Sequence, residues 1–333
     1  MRVVAPDAAD HVRPGGRPTF SVLVAVHNGA TVVGDALRSA LTQTVRPLEV
    51  IVCDDGSTDE LAGALEQFAT EITVLRQSRR GEAAAKNTAA QAASGEFVAI
   101  LDADDVYLPR RIGALGELAA LRPDLDILTT DAYLEVGGRV IRRCYDETWE
   151  FEVTDQRRAI LDRNFVFGLA AVRRTRLLEA GGFDESMRWA TDWDCWLRLI
   201  MDGAQVGLVD EPLARYRLST TSLTAQRTQL YRGRIAVLEK ATISARLTEA
   251  ERRVVGTALT RERGRAAASA AVDALRARAP DARRLAVEAA RAPDQQLRRR
   301  IRFLAAAAAP KAAGRRLDRV ARAGAAGVAL LDE

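Results

Sequence analysis

Four short apolar runs, Phe20–Val26, Leu48–Cys53, Ile72–Leu75 and Phe97–Leu101, recur early in the chain with segments of helical periodicity between them. Each run is rich in β-branched residues and apolar without alternation, which is the composition of a strand covered on both faces. The intervening segments, Ala30–Gln43, Asp59–Ala69 and Glu82–Ala93, repeat apolar residues every three or four positions, and Ser57-Thr58-Asp59 offers a capping start to the second of them. The resulting βαβαβαβ order predicts an α/β fold built on a Rossmann-like, doubly wound sheet. Ligands of such a sheet lie beyond the carboxyl ends of its strands.

Two acidic clusters fall at that edge. Asp54-Asp55 follows the second run, and Asp102-Ala103-Asp104-Asp105 follows the fourth. Three carboxylates within four positions, at the mouth of a low-dielectric sheet, raise one another's pKa values unless a cation or several donors neutralise them. Ligands that offer only oxygen suit magnesium or manganese, and magnesium is commonly held by one or two carboxylates together with substrate phosphates. The cluster therefore reads as half of a metal–diphosphate site. For an isolated D-x-D-D the plainer alternative is an acidic turn capping the helix after Pro109. An EF-hand is excluded by spacing, because Tyr107 stands where the loop glycine belongs and Gly113 where the bidentate glutamate belongs.

Downstream, Ile127–Glu135 and Arg139–Arg143 flank Gly137-Gly138 as a hairpin would, Phe165–Val172 reads as a further strand and Trp189–Met201 as a helix. Beyond Ser222 the chain is rich in Ala, Leu and Arg and is broken near Pro280, Pro293 and Pro310, which predicts an all-helical appendage. Residues 1–18 lack periodicity and read as a loose leader. The expected organisation is thus a leader over 1–18, a catalytic domain over 19–222 and a helical region over 223–333. Charge divides along the same lines. From Gln226 onward there are 24 Lys and Arg against 11 Asp and Glu, although the whole chain carries only +4. The basic region suits an anionic membrane surface, whereas nucleic acid is disfavoured because few aromatics interleave with its arginines. Cys53, Cys144 and Cys195 are odd in number and lack C-x-x-C spacing, so a reducing cytoplasm is expected, with peripheral attachment to the inner face of the membrane. No signal peptide and no apolar window of about 18 residues is evident.

The motifs occur as an ordered set: Val26-His27-Asn28-Gly29, Asp54-Asp55-Gly56-Ser57-Thr58-Asp59, Leu101-Asp102-Ala103-Asp104-Asp105, Gly181-Gly182-Phe183-Asp184-Glu185 and Asp192-Trp193-Asp194. Over Thr19–Ser222 this set resembles the family 2 glycosyltransferases, which have the A-type glycosyltransferase fold with a mixed sheet. The resemblance implies inverting transfer of a sugar from a nucleotide diphosphate-sugar, aided by Mn2+ or Mg2+. The acceptor would be a glycan, a lipid-linked molecule or a small molecule in cell-surface glycan, polysaccharide or glycoconjugate synthesis. It implies that Asp55 pairs with the nucleobase beside Asp54, and that Ala25, His27 and Asn28 contact the nucleotide. Asp102 and Ala103 would lie near the ribose, Asp104 would ligate the metal with Asp102 adjoining it, and Lys86 would line the donor site. Asp192 would be the catalytic base, removing the proton of the attacking hydroxyl; on residue type alone it could equally cap the helix that it begins.

Three departures stand out. His27 occupies a turn position usually filled by an aromatic. Lys86 replaces a frequent arginine and so keeps the charge without the bidentate fork. Tyr216-Arg217 runs into Leu218-Ser219 with no histidine, which leaves Arg217 or a neighbour to steady the diphosphate. Trp189, Trp193 and Trp196 could stack on a sugar, with core packing the alternative for Trp196. A nicotinamide enzyme is excluded, since the turn at His27–Val32 lacks G-x-G-x-x-G. The competing readings are a sugar nucleotidyltransferase-like enzyme and an inactive scaffold that docks through its basic tail.

Overall fold

The computed structural model describes residues 3–4, 18–218, 227–244, 247–293 and 297–322. The chain divides into two compact units, Met1–Arg217 and Leu218–Glu333. The boundary expected at Ser222 lies outside the described residues.

The first unit is built on a ten-stranded mixed sheet. Its parallel half holds β2 (Phe20–Val26), β3 (Glu49–Asp55), β4 (Thr73–Gln77) and β5 (Phe97–Ile100), with β2 paired to both β3 and β5 and β3 paired to β4. Helices α1 (Val33–Leu41), α2 (Leu61–Glu66) and α3 (Glu82–Ala92) make the crossovers. The four strands lie within two residues of their expected bounds at either end. Phe20, Val22, Leu23, Val24 and Phe97–Ile100 are buried, as the absence of alternation required.

Register sets the site. Val26 pairs with Asp54, whereas Leu23 pairs with Ile100, so β5 stops short of β2 and the Asp102–Asp105 turn comes in beside the end of β2. Gly29 permits that approach: a Cβ on it would fall 2.6 Å from Val26 Cγ2 and 3.9 Å from Ala103 Cβ.

The antiparallel half adds β7 (Ile127–Val136), β8 (Arg139–Arg143), β9 (Ala171–Arg173) and β10 (Val206–Leu218), with short β1 (Val3–Val4) and β6 (Val106–Tyr107) both paired to β10. Gly137 and Gly138, at φ 55° and 79°, form the two-residue hairpin turn. α4 (Arg111–Leu121), α5 (Gln156–Asp162), α6 (Arg174–Glu179) and α7 (Thr191–Met201) complete the unit.

Three expectations are corrected. Val3 and Val4, within the supposed loose leader, pair antiparallel with Val209 and Leu208. The strand expected over Phe165–Val172 is confined to Ala171–Arg173; Phe165–Phe167 is buried by aromatic packing instead, with the Tyr145 hydroxyl donating to Phe165 O and accepting from Phe167 N. Ser57-Thr58-Asp59 does not cap α2, whose first turn receives no side-chain bond.

The second unit contains α8 (Arg227–Ser244), α9 (Glu249–Ala277), α10 (Ala282–Arg291), α11 (Leu297–Ala308) and α12 (Pro310–Arg322). Thr248 and Glu251 form a reciprocal capping box at the start of α9. Small side chains dominate the core: Ala268, Ala271, Ala289 and Ala290 pack with Phe303. Gly314 lets α12 close on α9, since a Cβ there would clash with Leu275 O. The buried Glu262 is held by Arg234, Arg261 and Arg265 at 3.7, 3.3 and 2.8 Å. No helix among the described residues is long and apolar enough to cross a membrane.

Candidate active site

At the carboxyl edge of the parallel strands, the loop after β2 is stapled to the turn after β3. The Asn28 backbone N–H donates to Ser57 Oγ (2.9 Å), Thr58 N–H donates to Asn28 Oδ1 (2.8 Å) and Ala30 N–H donates to Asp59 Oδ2 (2.9 Å). His27 Nδ1 lies 3.0 Å from Asp55 O. Asn28 adopts φ 53°, a left-handed conformation that asparagine tolerates because its short side chain bonds locally. Ala25, half-buried near the end of β2, pairs with Cys53 just before this turn.

Asp55 is buried and almost fully engaged. Oδ1 accepts from Gln77 Nε2 (2.7 Å) and Arg80 N (2.8 Å), and Oδ2 accepts from Gly81 N (2.7 Å). Burial alone would raise its pKa, but these bonds outweigh burial and hold the carboxyl below the usual carboxylate range. Asp55 thus anchors the β4–α3 loop, with one Oδ2 lone pair left for another donor. Asp54 Oδ1 accepts from Ser57 N, tightening the same turn.

The second cluster centres on Lys86. Its Nζ is buried between Glu82 Oε1 (2.5 Å) and Asp102 Oδ1 (2.9 Å). Burial opposes its charge, but the two carboxylates prevail and push the pKa upward, so Lys86 stays an ammonium. Asp102 is itself raised, by burial above all, with Lys86 pulling the other way. Asp104 reaches solvent, yet the surrounding protein and the charge on Asp102 push its carboxyl up. Asp105 is buried: Oδ1 accepts from Arg217 N (2.8 Å), and among the described residues no donor reaches Oδ2. Burial, then the charges on Asp102 and Asp104, drive its pKa well up.

A group whose folded pKa is raised contributes stability at low pH that is lost as pH rises through that value. Asp105→Asn keeps an oxygen for the Arg217 N–H and removes the charge. We expect its Tm to exceed wild type at pH 8, with the gap closing as pH falls; a calorimetric Tm below wild type at pH 8 would refute this account.

Asp192 enters from the first turn of α7. Its Oδ2 accepts from Asn164 Nδ2 (3.0 Å), and burial raises its pKa. Lys86, Glu82 and Asp102 all act on it electrostatically, so it lies within electrostatic reach of the second cluster. The Tyr216 phenol, pushed up chiefly by burial, also feels Asp105, Asp102, Asp192 and Asp104, so the four carboxylates share one neighbourhood. Tyr216 arrives there because β10 runs back past β6.

Asp102, Ala103, Asp104, Asp192 and Lys86 therefore converge, while Ala25, His27, Asn28 and Asp55 line the adjoining turn. The Arg217 guanidinium does not point to a free diphosphate position: Nη1 bonds Asp35 Oδ2 (3.1 Å) and Nε lies 3.7 Å from Glu135 Oε1. Trp193 donates to Ile160 O and Trp196 packs edge-on against Phe183, both buried, so neither offers an exposed stacking face. Glu82 and Asn164 were not anticipated. Glu82 sits one helical turn before Lys86, a spacing visible in the sequence, whereas the Asn164 contact spans 28 residues with no local signal.

The family model for glycosyl transferase family 2 matches residues 21–180, the stretch that carries both acidic clusters. Residues 21–180 are thus the part of the chain that is similar to glycosyltransferase family 2. The chain is 23% identical over 209 residues to an uncharacterized glycosyltransferase of Methanocaldococcus jannaschii, covering 61% of this chain and 71% of the relative. Its fold is similar to residues 1–349 of S. aureus TarS in complex with UDP-GlcNAc (TM-score 0.60, 18% identity, 92% of each chain). It is likewise similar to a mannosyltransferase from Pyrobaculum calidifontis in complex with GDP-Man and Mn2+ (TM-score 0.60, 24% identity, 92% of this chain and 88% of that one). These likenesses establish the A-type glycosyltransferase fold with a helical C-terminal region.

Proposed function

We propose that this glycosyltransferase moves a sugar from a nucleotide diphosphate-sugar to an acceptor hydroxyl with inversion, using the domain over 19–222. The observation that carries the reading is the convergence of Asp192 with Asp102 and Asp104 around Tyr216. Nucleotide-sugar ligands in two structures of the same fold agree with it. In this reading Ala25, His27, Asn28 and Asp55 hold the nucleotide, and Ala103 and Lys86 line its sugar-phosphate side.

The residues fit a divalent metal. Among the described residues no group of three or more His, Cys, Asp and Glu side chains forms a cage, and Asp104 and Asp102 offer the one or two carboxylates that magnesium or manganese takes alongside phosphates. When bound there, Mn2+ or Mg2+ would neutralise charge developing on the leaving diphosphate. The part played by Asp192 follows from its partners. Asn164 holds Oδ2 and the Trp193 backbone N–H also donates to the carboxylate, which orients it while its remaining lone pairs can take the acceptor's proton as the hydroxyl attacks opposite the leaving group. One base and one displacement invert the anomeric centre. The acceptor is a glycan, lipid-linked or small-molecule hydroxyl in cell-surface glycan synthesis, met at the cytoplasmic face of an anionic membrane.

Calorimetric titration of nucleoside diphosphates with and without manganese tests the donor half. The expected result is metal-dependent binding of one nucleotide, lost in Asp104→Ala. Metal-independent binding of every nucleotide, or no binding of any, would overturn it.

A further inference from the structure

The outer side of α11 carries an apolar stripe with nothing packed on it among the described residues. Leu297, Ile301 and Leu304 are 73%, 57% and 52% exposed, and their i, i+4, i+7 spacing aligns them on one face. Phe303 and Ala307 on the inner side are buried, with Phe303 seated among Ala268, Ala271, Ala289 and Ala290. The helix is therefore held by one face and presents the other.

Arginines flank the stripe. At about 100° per residue, Arg298 and Arg302 fall to one side and Arg300, which donates to Ala292 O, to the other, all three exposed. Leu297–Ala308 contains four arginines and no acidic residue. Lys311, Arg315 and Arg316 on α12 are exposed as well.

We propose that this face of α11 docks in the plane of an anionic phospholipid bilayer. Leu297, Ile301 and Leu304 enter the boundary between headgroups and acyl chains, and Arg298 and Arg302 reach lipid phosphates beside them. This gives an address to the membrane partner named in the functional reading and rests on the helical unit alone. Charge complementarity selects the occupant. A second copy meeting this face about a twofold axis would bring arginine rows against each other, and three side chains fall short of the roughly 800 Å² per partner of a stable interface. Nucleic acid finds no base-stacking surface, because the one aromatic of α11, Phe303, is turned inward.

The test is sedimentation of the full chain with vesicles of phosphatidylcholine alone, or of phosphatidylcholine and phosphatidylglycerol in equal parts. Binding to the anionic vesicles only, weakening as salt rises, is expected. Ile301→Glu with Leu304→Glu should abolish it. Arg298→Glu with Arg302→Glu should weaken it by roughly 25-fold or more, taking about fivefold for each basic residue at the surface. Equal binding to neutral vesicles, no binding to anionic ones, indifference to both double variants, or a dimer in light scattering that the apolar double variant dissolves would each overturn the proposal. Should the apolar variant fail to melt cooperatively, the exposed arginine pair reads alone. Donor titration on the same preparations separates the two readings: vesicle binding with no donor binding fails the catalytic one, and the converse fails this one.

Discussion

Asp192→Asn is expected to lower kcat by about 10²- to 10⁴-fold, the usual contribution of a positioned general base, with little change in donor affinity. The amide is nearly isosteric and removes a charge that burial disfavours, so the variant should melt no lower than wild type. The pH dependence carries more information. Asp192 acts as a base only after losing its proton, and burial raises the pKa at which it does so. The acidic limb of kcat/KM in the wild type should therefore lie above the ordinary aspartate value of about 3.9, with activity climbing as pH rises through it. In Asp192→Asn that limb should vanish and leave a flat residual rate. A variant that retained more than about a tenth of wild-type kcat with the limb intact would remove Asp192 from the mechanism.

Lys86→Met should be the most destabilising of the substitutions considered. The ammonium is buried between Glu82 and Asp102, and removing one member of a buried ion pair costs about 3–5 kcal/mol. Glu82 and Asp102 keep 57% and 31% side-chain exposure, so the lower end of that range, about 3 kcal/mol, is expected near pH 8. The sign follows from linkage. Lys86 has a raised folded pKa, so its stabilisation is complete below the unfolded value and is lost only at strongly alkaline pH. Without Lys86, Asp102, already raised by burial, loses its nearest positive charge and rises further. The deficit should thus shrink as pH falls and Asp102 takes a proton. Denaturant midpoints at pH 8 and pH 5 measure both quantities; a loss under about 0.5 kcal/mol at pH 8 would place the pair among ordinary surface bridges.

Sequence periodicity exposed the parallel half of the sheet because β2, β3 and β5 are covered on both faces and so read as unbroken apolar runs, whereas β4 is an exposed edge strand that its β-branched residues alone gave away. β10 was hidden by the same logic. Its 13 residues include Asp210-Glu211-Pro212, which breaks any alternation, and that long strand delivers Tyr216 and Arg217 to the carboxylates. Phe165–Ala170 misled in the opposite sense, being apolar for burial under an aromatic cluster rather than for a ladder. Acidic positions were legible because a charge at a strand end needs a reason. Their partners were not: Asn164 beside Asp192 and Arg217 N–H on Asp105 are contacts between segments far apart in the chain.

Ser57, Thr58 and Asp59, taken on local preference for the start of a helix, are spent on the loop after β2 instead. That crosswise stapling makes Val26–Ala30 and Asp54–Asp59 one module made of two pieces of chain. Exchange of donor specificity with a relative by grafting either piece alone would leave the backbone N–H groups of Asn28, Thr58 and Ala30 without acceptors. Chimeras should inherit a new donor preference only when both segments travel together.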